Sequence, residues 1–375
     1  MKILLLHSSS DQYGASKILL GIVQLLVKRN HQVWVVLSEE GPLSNDLLQA
    51  GADVIYIRLG ILRRKYFSPT GIINRLITIR KAKKELQKII RQKNIDLVYS
   101  NTTGVLAGAF AASKCRVKHI WHVHEIIESP RWFTQILGKI MRQFAHSVVV
   151  VSEAVKKSWL SVIPENKMVV VHNGIDYTLY LQAQPSIQAS FGFPEDALII
   201  GMVGRVHYWK GQDYFLQIAA LLHVRFPQLR FVMVGDAFPG YEYLYAQLDN
   251  QIQQLQVQDV VKQLGFRNDI PSLMQSIDLL LLPSQLPDPF PTVILEAMAS
   301  EKPVIATQMG GALEMIEPGI TGDFMPHDRA EAAANIVSNW LNKEKLHQAG
   351  KAARQRVLEK FSKESWENKL IKIIE

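Results

Sequence analysis

The chain has 375 residues, 48% of them apolar and 20% charged, with a formal net charge of +8 and a single cysteine, Cys115. That length supports two domains with ample cores, while one cysteine excludes an internal disulfide and fits the cytosol. Nothing spans a bilayer: the longest apolar runs, such as 277–282 and 147–152, have the length of buried strands, and 1–7 is too short for a signal peptide and reads as a first strand.

In chain order, short aliphatic strands are predicted at 2–7, 32–37, 53–57, 96–100, 119–123 and 147–151, alternating with helical or loop stretches. This α/β pattern predicts a parallel sheet with helices on both faces. Within it, Arg63-Arg-Lys-Tyr-Phe67 precedes a basic helical segment with Ile72, Ile73, Leu76, Ile79, Leu86, Ile89 and Ile90 toward one face. Arg75, Arg80, Lys81, Lys83, Lys84, Lys88 and Arg91 fall mainly elsewhere, so the segment either docks on the sheet with a solvated basic side or lies on anionic lipid. A second amphipathic stretch holds Trp132, Phe133, Ile136, Leu137, Ile140 and Phe144 among Arg131, Lys139 and Arg142, and is read as an acceptor-side or membrane-side surface or as a core-facing helix. After a first domain at 1–177, the pattern pauses over 178–194, where Pro185 and Pro194 mark a linker. Strands at 197–203, 229–234, 259–264, 277–282 and 302–306 then build a second doubly wound domain, 195–356, and the last stretch has helical spacing through Val357, Phe361, Trp366, Leu370 and Ile373. Charge follows this division: 1–180 carries 25 Lys+Arg against 12 Asp+Glu, net +13, and 181–375 carries 17 against 22, net −5.

Two segments carry chemistry. The apolar strand from Ala197 runs into Gly204-Arg205-Val-His-Tyr-Trp-Lys210-Gly211, ahead of a helix from about Asp213. Ligands bind at the carboxyl ends of strands in open α/β sheets, and two cations there can hold a diphosphate, Arg205 by a bidentate fork and Lys210 as a point charge. The second segment, 287–314, places acids at Asp288, Glu296 and Glu314 around helix starts. Pro291 fits the first turn of a helix from about Thr292 to Ser300, which leaves the amides of Thr292, Val293 and Ile294 for a phosphate. Glu296 lies one turn deeper on the same face, where a carboxylate can accept bonds from a sugar's vicinal hydroxyls. Each has an ordinary alternative: Arg205 pairing with a carboxylate, Asp288 shaping a turn, Glu296 pairing on a helix surface, Glu314 favouring a helix dipole. No Asp-X-Asp pair occurs and the histidines show no metal-ligand spacing, so cationic side chains and amides are expected in place of a divalent ion, with no cofactor.

Taken in order, Gly204-Arg205 with Lys210-Gly211, Asp288-X7-Glu296-Ala-Met-Ala, Lys302-Pro-Val-Ile-Ala-Thr307 and Gly310-Gly-Ala-Leu-Glu314 resemble the retaining GT-B glycosyltransferases of family 4. Gly14-Ala-Ser-Lys17, His124-Glu125, Val151-Ser-Glu-Ala154 and Val171-His-Asn-Gly-Ile-Asp176 extend the resemblance over nearly the whole chain. It implies two Rossmann-like domains facing across a cleft, the donor mostly on the second, and a final helix of about 357–375 packing back on the first. It also implies Arg205 and Lys210 at the diphosphate, His124 and Asp288 at the donor sugar, Gly14 and Gly204 at the phosphates and Phe266 near the base. Phe290, Thr292, Val293, Glu296 and Glu314 complete the implied donor site. Three positions depart from the pattern. Asp288 stands where Glu is usual, Pro291 where Gly follows the Phe, and Tyr13 where a second Gly is common.

The resemblance implies metal-independent transfer of a sugar from a UDP- or GDP-sugar to a hydroxyl of a saccharide or lipid-linked acceptor, in polysaccharide, lipopolysaccharide or glycolipid synthesis. A front-face route is favoured, because neither Asp288 nor Glu296 is placed by sequence beneath the anomeric carbon. The setting is cytoplasmic, with an anionic membrane surface as a further partner for the basic half. A GT-B sugar-nucleotide epimerase is the alternative, and would consume donor without acceptor. A nicotinamide oxidoreductase is disfavoured by Ser8-Ser-Ser-Asp-Gln-Tyr-Gly14 where Gly-X-Gly-X-X-Gly would stand, and a nucleic-acid binder by the lack of a recognition motif.

Overall fold

The computed structural model describes residues 1–62, 66–182, 186–238 and 240–375, so Arg63, Arg64 and Lys65 of the basic run and Pro185 of the linker lie outside the described residues. The chain divides into two compact units, Met1–Ile175 with Glu364–Glu375, and Asp176–Lys363.

The first unit is built on β1 (Lys2–His7), β2 (Gln32–Leu37), β3 (Asp53–Tyr56), β4 (Leu97–Asn101), β5 (Lys118–Val123), β6 (Ser147–Val150) and β7 (Met168–Val170). They form one parallel sheet in the order β3-β2-β1-β4-β5-β6-β7. Its central strands are buried along almost their whole length, as a sheet covered on both faces requires. The order reverses at β1, and the register sets His7 beside Asn101 and Asn101 beside His122 at the carboxyl ends. The helix Lys363–Ile374 supplies Trp366, Leu370, Ile371 and Ile374 to this core. Its indole lies over Gly21, where an added Cβ would stand 3.0 Å away, and Lys118 Nζ donates to Ile373 O at 2.9 Å.

The basic segment forms a helix, Pro69–Lys93, capped by Ser68 Oγ accepting from Gly71 N at 3.1 Å and ended by Asn94 in the left-handed region. Its apolar face is covered over only part of its length. Ile79, Ala82, Leu86 and Ile90 are buried, while Ile72, Ile73 and Leu76, expected on the same side, are exposed. At about 100° per residue Ile72, Leu76, Ile79, Leu86 and Ile90 share one face, and burial against neighbours such as the helix Leu106–Cys115 begins only at Ile79. The helix Arg131–Phe144 divides likewise, burying Phe133, Leu137 and Met141 and exposing Trp132 and Ile136.

The second unit carries β8 (Leu198–Val203), β9 (Leu229–Val234), β10 (Val261–Gln263), β11 (Leu279–Leu282), β12 (Val304–Thr307) and β13 (Gly322–Met325) in the order β10-β9-β8-β11-β12-β13, all parallel. β7 and β13 are absent from the sequence reading; three and four residues long, they lack a sustained aliphatic run. The expected linker opens with a short helix, Thr178–Leu181, and includes a 3-10 turn, Gln188–Phe191.

Candidate functional site

In the second unit the strand order reverses beside β8, and three glycines follow β8, β9 and β10: Gly204, Gly235 and Gly265. Gly204 N donates to Val234 O at 2.8 Å and Gly235 N to Gly265 O at 2.8 Å. Gly235 has φ +145°, and a Cβ there would come 1.9 Å from Gly204 O, so only glycine lets these strand ends close up. The turn leaving β8 is tied internally. Gln212 Nε2 donates to Arg205 O at 2.9 Å, and Lys210 N donates to His207 O at 2.8 Å. Arg205 lays its guanidinium over the Phe238 ring, 3.4 Å from the centroid. Burial, with Arg205 and Lys210 nearby, lowers the pKa of His207 and favours its neutral form.

The 287–314 segment folds onto the same end of the sheet. Lys210 Nζ donates to Asp288 Oδ2 at 2.5 Å, joining two residues 78 positions apart in a partly buried ion pair. Gly310 and Gly311 press on this loop: a Cβ on either would lie 2.3 Å from Asp288 O or Pro289 O, and Gly311 N donates to Asp288 O at 2.8 Å. The helix Thr292–Ala299 starts after Pro291, which takes the capping position. Ile294 N donates to Pro291 O at 3.0 Å, so of the three amides expected to be open this one is used by the chain. That bond spans three residues, a 3-10-type closure of the first turn. Thr292 and Val293 keep amides with no acceptor among the described residues. Phe290 is buried, its ring 5.7 Å from that of Phe361.

Glu296, one turn in, is buried and accepts a hydrogen bond from the Tyr180 hydroxyl; burial and this carboxylate together raise the Tyr180 pKa. Tyr180 sits on the helix Thr178–Leu181, anchored by Tyr177 Oη donating to Phe361 O at 2.8 Å and by Lys363 Nζ reaching Asp176 Oδ2 at 3.1 Å. Glu314 falls in the one-turn helix Ala312–Met315, whose end is held by Arg356 donating to Met315 O at 2.7 Å and to Glu314 O at 3.1 Å. Phe266, after Gly265, is 54% exposed and so not a core aromatic.

Gly14 and His124 belong to the first unit. Gly14 opens the helix Gly14–Lys28, and a Cβ there would meet nothing within 4 Å, so its own chain does not require glycine. His124 joins a chain of groups unforeseen in the sequence. Its Nε2–H donates to Asn101 Oδ1 at 2.8 Å, and Asn101 Nδ2 donates to His7 Nδ1 at 3.0 Å and to Ala15 O at 3.2 Å. His7 Nε2–H then reaches Ser16 Oγ at 3.0 Å, and Ser16 donates to Asp11 Oδ1 at 2.9 Å. These directions assign the tautomers from the network. Burial holds His7 down to about 4 and His119 and His122 down to about 3, and lowers His124 well below the usual histidine range, helped by His122 and His7. Glu125, accepting from Thr103 N at 3.2 Å and His124 N at 3.0 Å, is nonetheless pushed up to about 7 by burial. The signal for Asn101 was present in Ser100-Asn-Thr-Thr-Gly104, a polar run closing an apolar strand. Among the described residues no group of three or more His, Cys, Asp or Glu is placed to hold a metal ion.

Two family models tile this chain. The one described as Glycosyltransferase Family 4 matches residues 13–179, and Glycosyl transferases group 1 matches residues 183–356. A solved structure of Anabaena HepE in complex with UDP-glucose superimposes with a TM-score of 0.85 at 28% identity, covering 100% of this chain and 99% of that one. Parallel sheets with alternating helices and this likeness define a two-domain, Rossmann-like GT-B fold. The chain belongs to the group 1 (family 4) glycosyltransferases. Among curated relatives, an uncharacterized glycosyltransferase of Methanocaldococcus jannaschii is 30% identical over 59% of this chain, a match that spans 57% of the relative's own length. The UDP-Gal:α-D-GlcNAc-diphosphoundecaprenol α-1,3-galactosyltransferase of Escherichia coli is 23% identical over 93% of this chain and 90% of its own.

Proposed function

We propose that this protein transfers a sugar from a nucleotide-diphosphate donor, UDP- or GDP-linked, to a hydroxyl of a saccharide or lipid-linked acceptor with retention of configuration. The observation that carries the reading is the convergence of Arg205, the Lys210–Asp288 pair, the open amides of Thr292 and Val293 and the buried Glu296 at one end of the second sheet. In this reading the cations and amides hold the diphosphate, Gly204 lets it approach, and Glu296 takes the ribose hydroxyls. Asp288 keeps Lys210 in place and serves the donor sugar. On the first unit, His124 is a neutral imidazole with its lone pair at Nδ1. Phe266 stacks near the base, Phe290 supports the loop, Glu314 lines the donor, and Gly14 leaves room for phosphate.

As the bond to the anomeric carbon breaks, negative charge grows on the leaving diphosphate. Arg205 and Lys210 neutralise it without a metal ion, and the phosphate oxygen takes the proton of the incoming hydroxyl on the same face. Support for retention comes from the Escherichia coli relative, whose name prints an α-1,3 linkage made from UDP-Gal. That name, with its diphosphoundecaprenol acceptor, also favours polysaccharide, lipopolysaccharide or glycolipid assembly on a lipid-linked acceptor.

The test is nucleotide release from a panel of UDP-, GDP- and ADP-sugars, with and without lipid-linked acceptors and with chelator. Acceptor-dependent release that survives chelation is expected. Donor conversion without acceptor, giving an epimerised sugar, would instead assign the epimerase.

A further inference from the structure

Two helices of the first unit leave apolar residues uncovered near their starts. On the helix Pro69–Lys93, Ile72, Ile73, Leu76 and Ile77 are exposed, Ile73 by 58% and Leu76 by 54%. At about 100° per residue they share a stripe with Arg80 and Lys84, so the stripe is apolar over its first two turns and basic beyond them. The helix Arg131–Phe144 repeats the order, with Trp132 (50% exposed) and Ile136 followed on the same stripe by Lys139. Phe67 joins the two starts, its ring centroid 5.4 Å from Trp132 and 4.8 Å from Phe133. Two helices thus present adjacent apolar tips, each backed by cations. Isolated exposed apolar side chains need no explanation, but a contiguous set on two helices does.

We infer that this surface inserts its apolar tips into an anionic phospholipid bilayer, with Arg80, Lys84 and Lys139 at headgroup level. Charge favours this occupant: 1–180 carries net +13, and a basic shaft behind an apolar tip matches an acyl boundary beneath phosphates. A second copy of the chain would bring the same cations against themselves. Among the described residues no helix is long and apolar enough to cross a membrane, so the contact is peripheral. This deepens the reading of a membrane-presented acceptor by naming the surface that meets the lipid.

The test uses the full chain without donor or acceptor, so that its failure and failure of the transferase reading stay separate. Co-sedimentation is measured with phosphatidylcholine vesicles lacking or containing phosphatidylglycerol. Binding only to the anionic vesicles is expected. Ile73→Glu, Leu76→Glu and Trp132→Glu should each weaken it by about tenfold, and Arg80→Gln and Lys84→Gln by about fivefold each. Unchanged thermal midpoints in these exposed variants show that the fold is intact. Absence of wild-type binding, equal binding to neutral vesicles, or variants that bind like wild type would overturn the inference. So would a wild-type dimer in light scattering that these substitutions dissociate, which assigns the face to a second copy.

Discussion

The carboxyl ends of β1, β4 and β5 and those of β8 and β11 hold equivalent positions where strand order reverses, yet they carry different chemistry. In the first unit the groups are buried and neutral, an asparagine handing hydrogen bonds from one imidazole to another. In the second they are ionic and half-solvated, a lysine paired with an aspartate and a guanidinium resting on a ring. A neutral network is ordered by tautomers and fails on protonation. An ionic one is ordered by charge and fails when a charge is removed.

The comparison is broken most sharply on the ionic side. Arg205→Ala or Lys210→Ala should each lower kcat by roughly 10²–10³, about 3–4 kcal/mol of transition-state stabilisation, with the thermal unfolding midpoint unchanged for Arg205→Ala and lowered for Lys210→Ala, which strands Asp288 without its partner; normal turnover would remove them from the mechanism. On the neutral side, acid is the probe. His7, His119 and His122 have folded pKa values of about 4, 3 and 3, below the ordinary 6.5, so the stability held by their neutral burial is complete above pH 6.5 and disappears as pH falls through those values. The differences correspond to about 3 kcal/mol for His7 and about 5 kcal/mol for each of the other two. Glu125 runs the other way: its folded value of about 7 lies above the ordinary 4.5, so its cost is absent below 4.5 and grows as pH rises toward 7. Hydrogen exchange should show first-unit peptides opening before second-unit peptides as pH drops below 6.5, and Glu125→Gln should steepen that acid loss.

Smaller changes sharpen the contrast. Asn101→Ala leaves His124 Nε2–H unpaired, while His7 Nδ1 keeps the residue 101 carbonyl at 3.2 Å as a partner, and should cost about 1–3 kcal/mol in urea unfolding, with reduced turnover from a misplaced His124. Tyr180→Phe removes one bond to Glu296 and should weaken UDP binding by about three- to tenfold, corresponding to 0.5–1.5 kcal/mol. Calorimetry with 2′-deoxy-UDP should show a smaller penalty, because the ribose hydroxyl is then missing already. Gly14→Ala should shift stability by less than about 0.5 kcal/mol, since its Cβ would point into open space, and any loss of turnover it causes then belongs to the ligand.

What the sequence made legible follows the range of the interaction. Arg205, Lys210 and Glu296 could be read locally, because an apolar strand breaking into Gly-Arg and a helix starting after Pro announce a ligand-facing end within a few residues. Their partners could not. The Lys210–Asp288 and His7–Asn101 contacts join residues 78 and 94 positions apart, and Tyr180 meets Glu296 only because Tyr177 and Lys363 fix its helix. The strands emerged from their aliphatic runs except β7 and β13, too short to show a period. On the helix Pro69–Lys93, counting apolar residues gave one face; which of them meet a neighbour is decided by where the next helix ends.

The first unit takes part of its core from the far end of the polypeptide, through Trp366, Leu370 and Ile374. During synthesis, then, the part translated first cannot finish folding until Trp366 to Ile374 have emerged, whereas the second unit, ending at Lys363, has its residues before that. A nascent chain stalled short of Trp366 would leave Gly21 without its indole cover, a handle for chaperones until that helix docks.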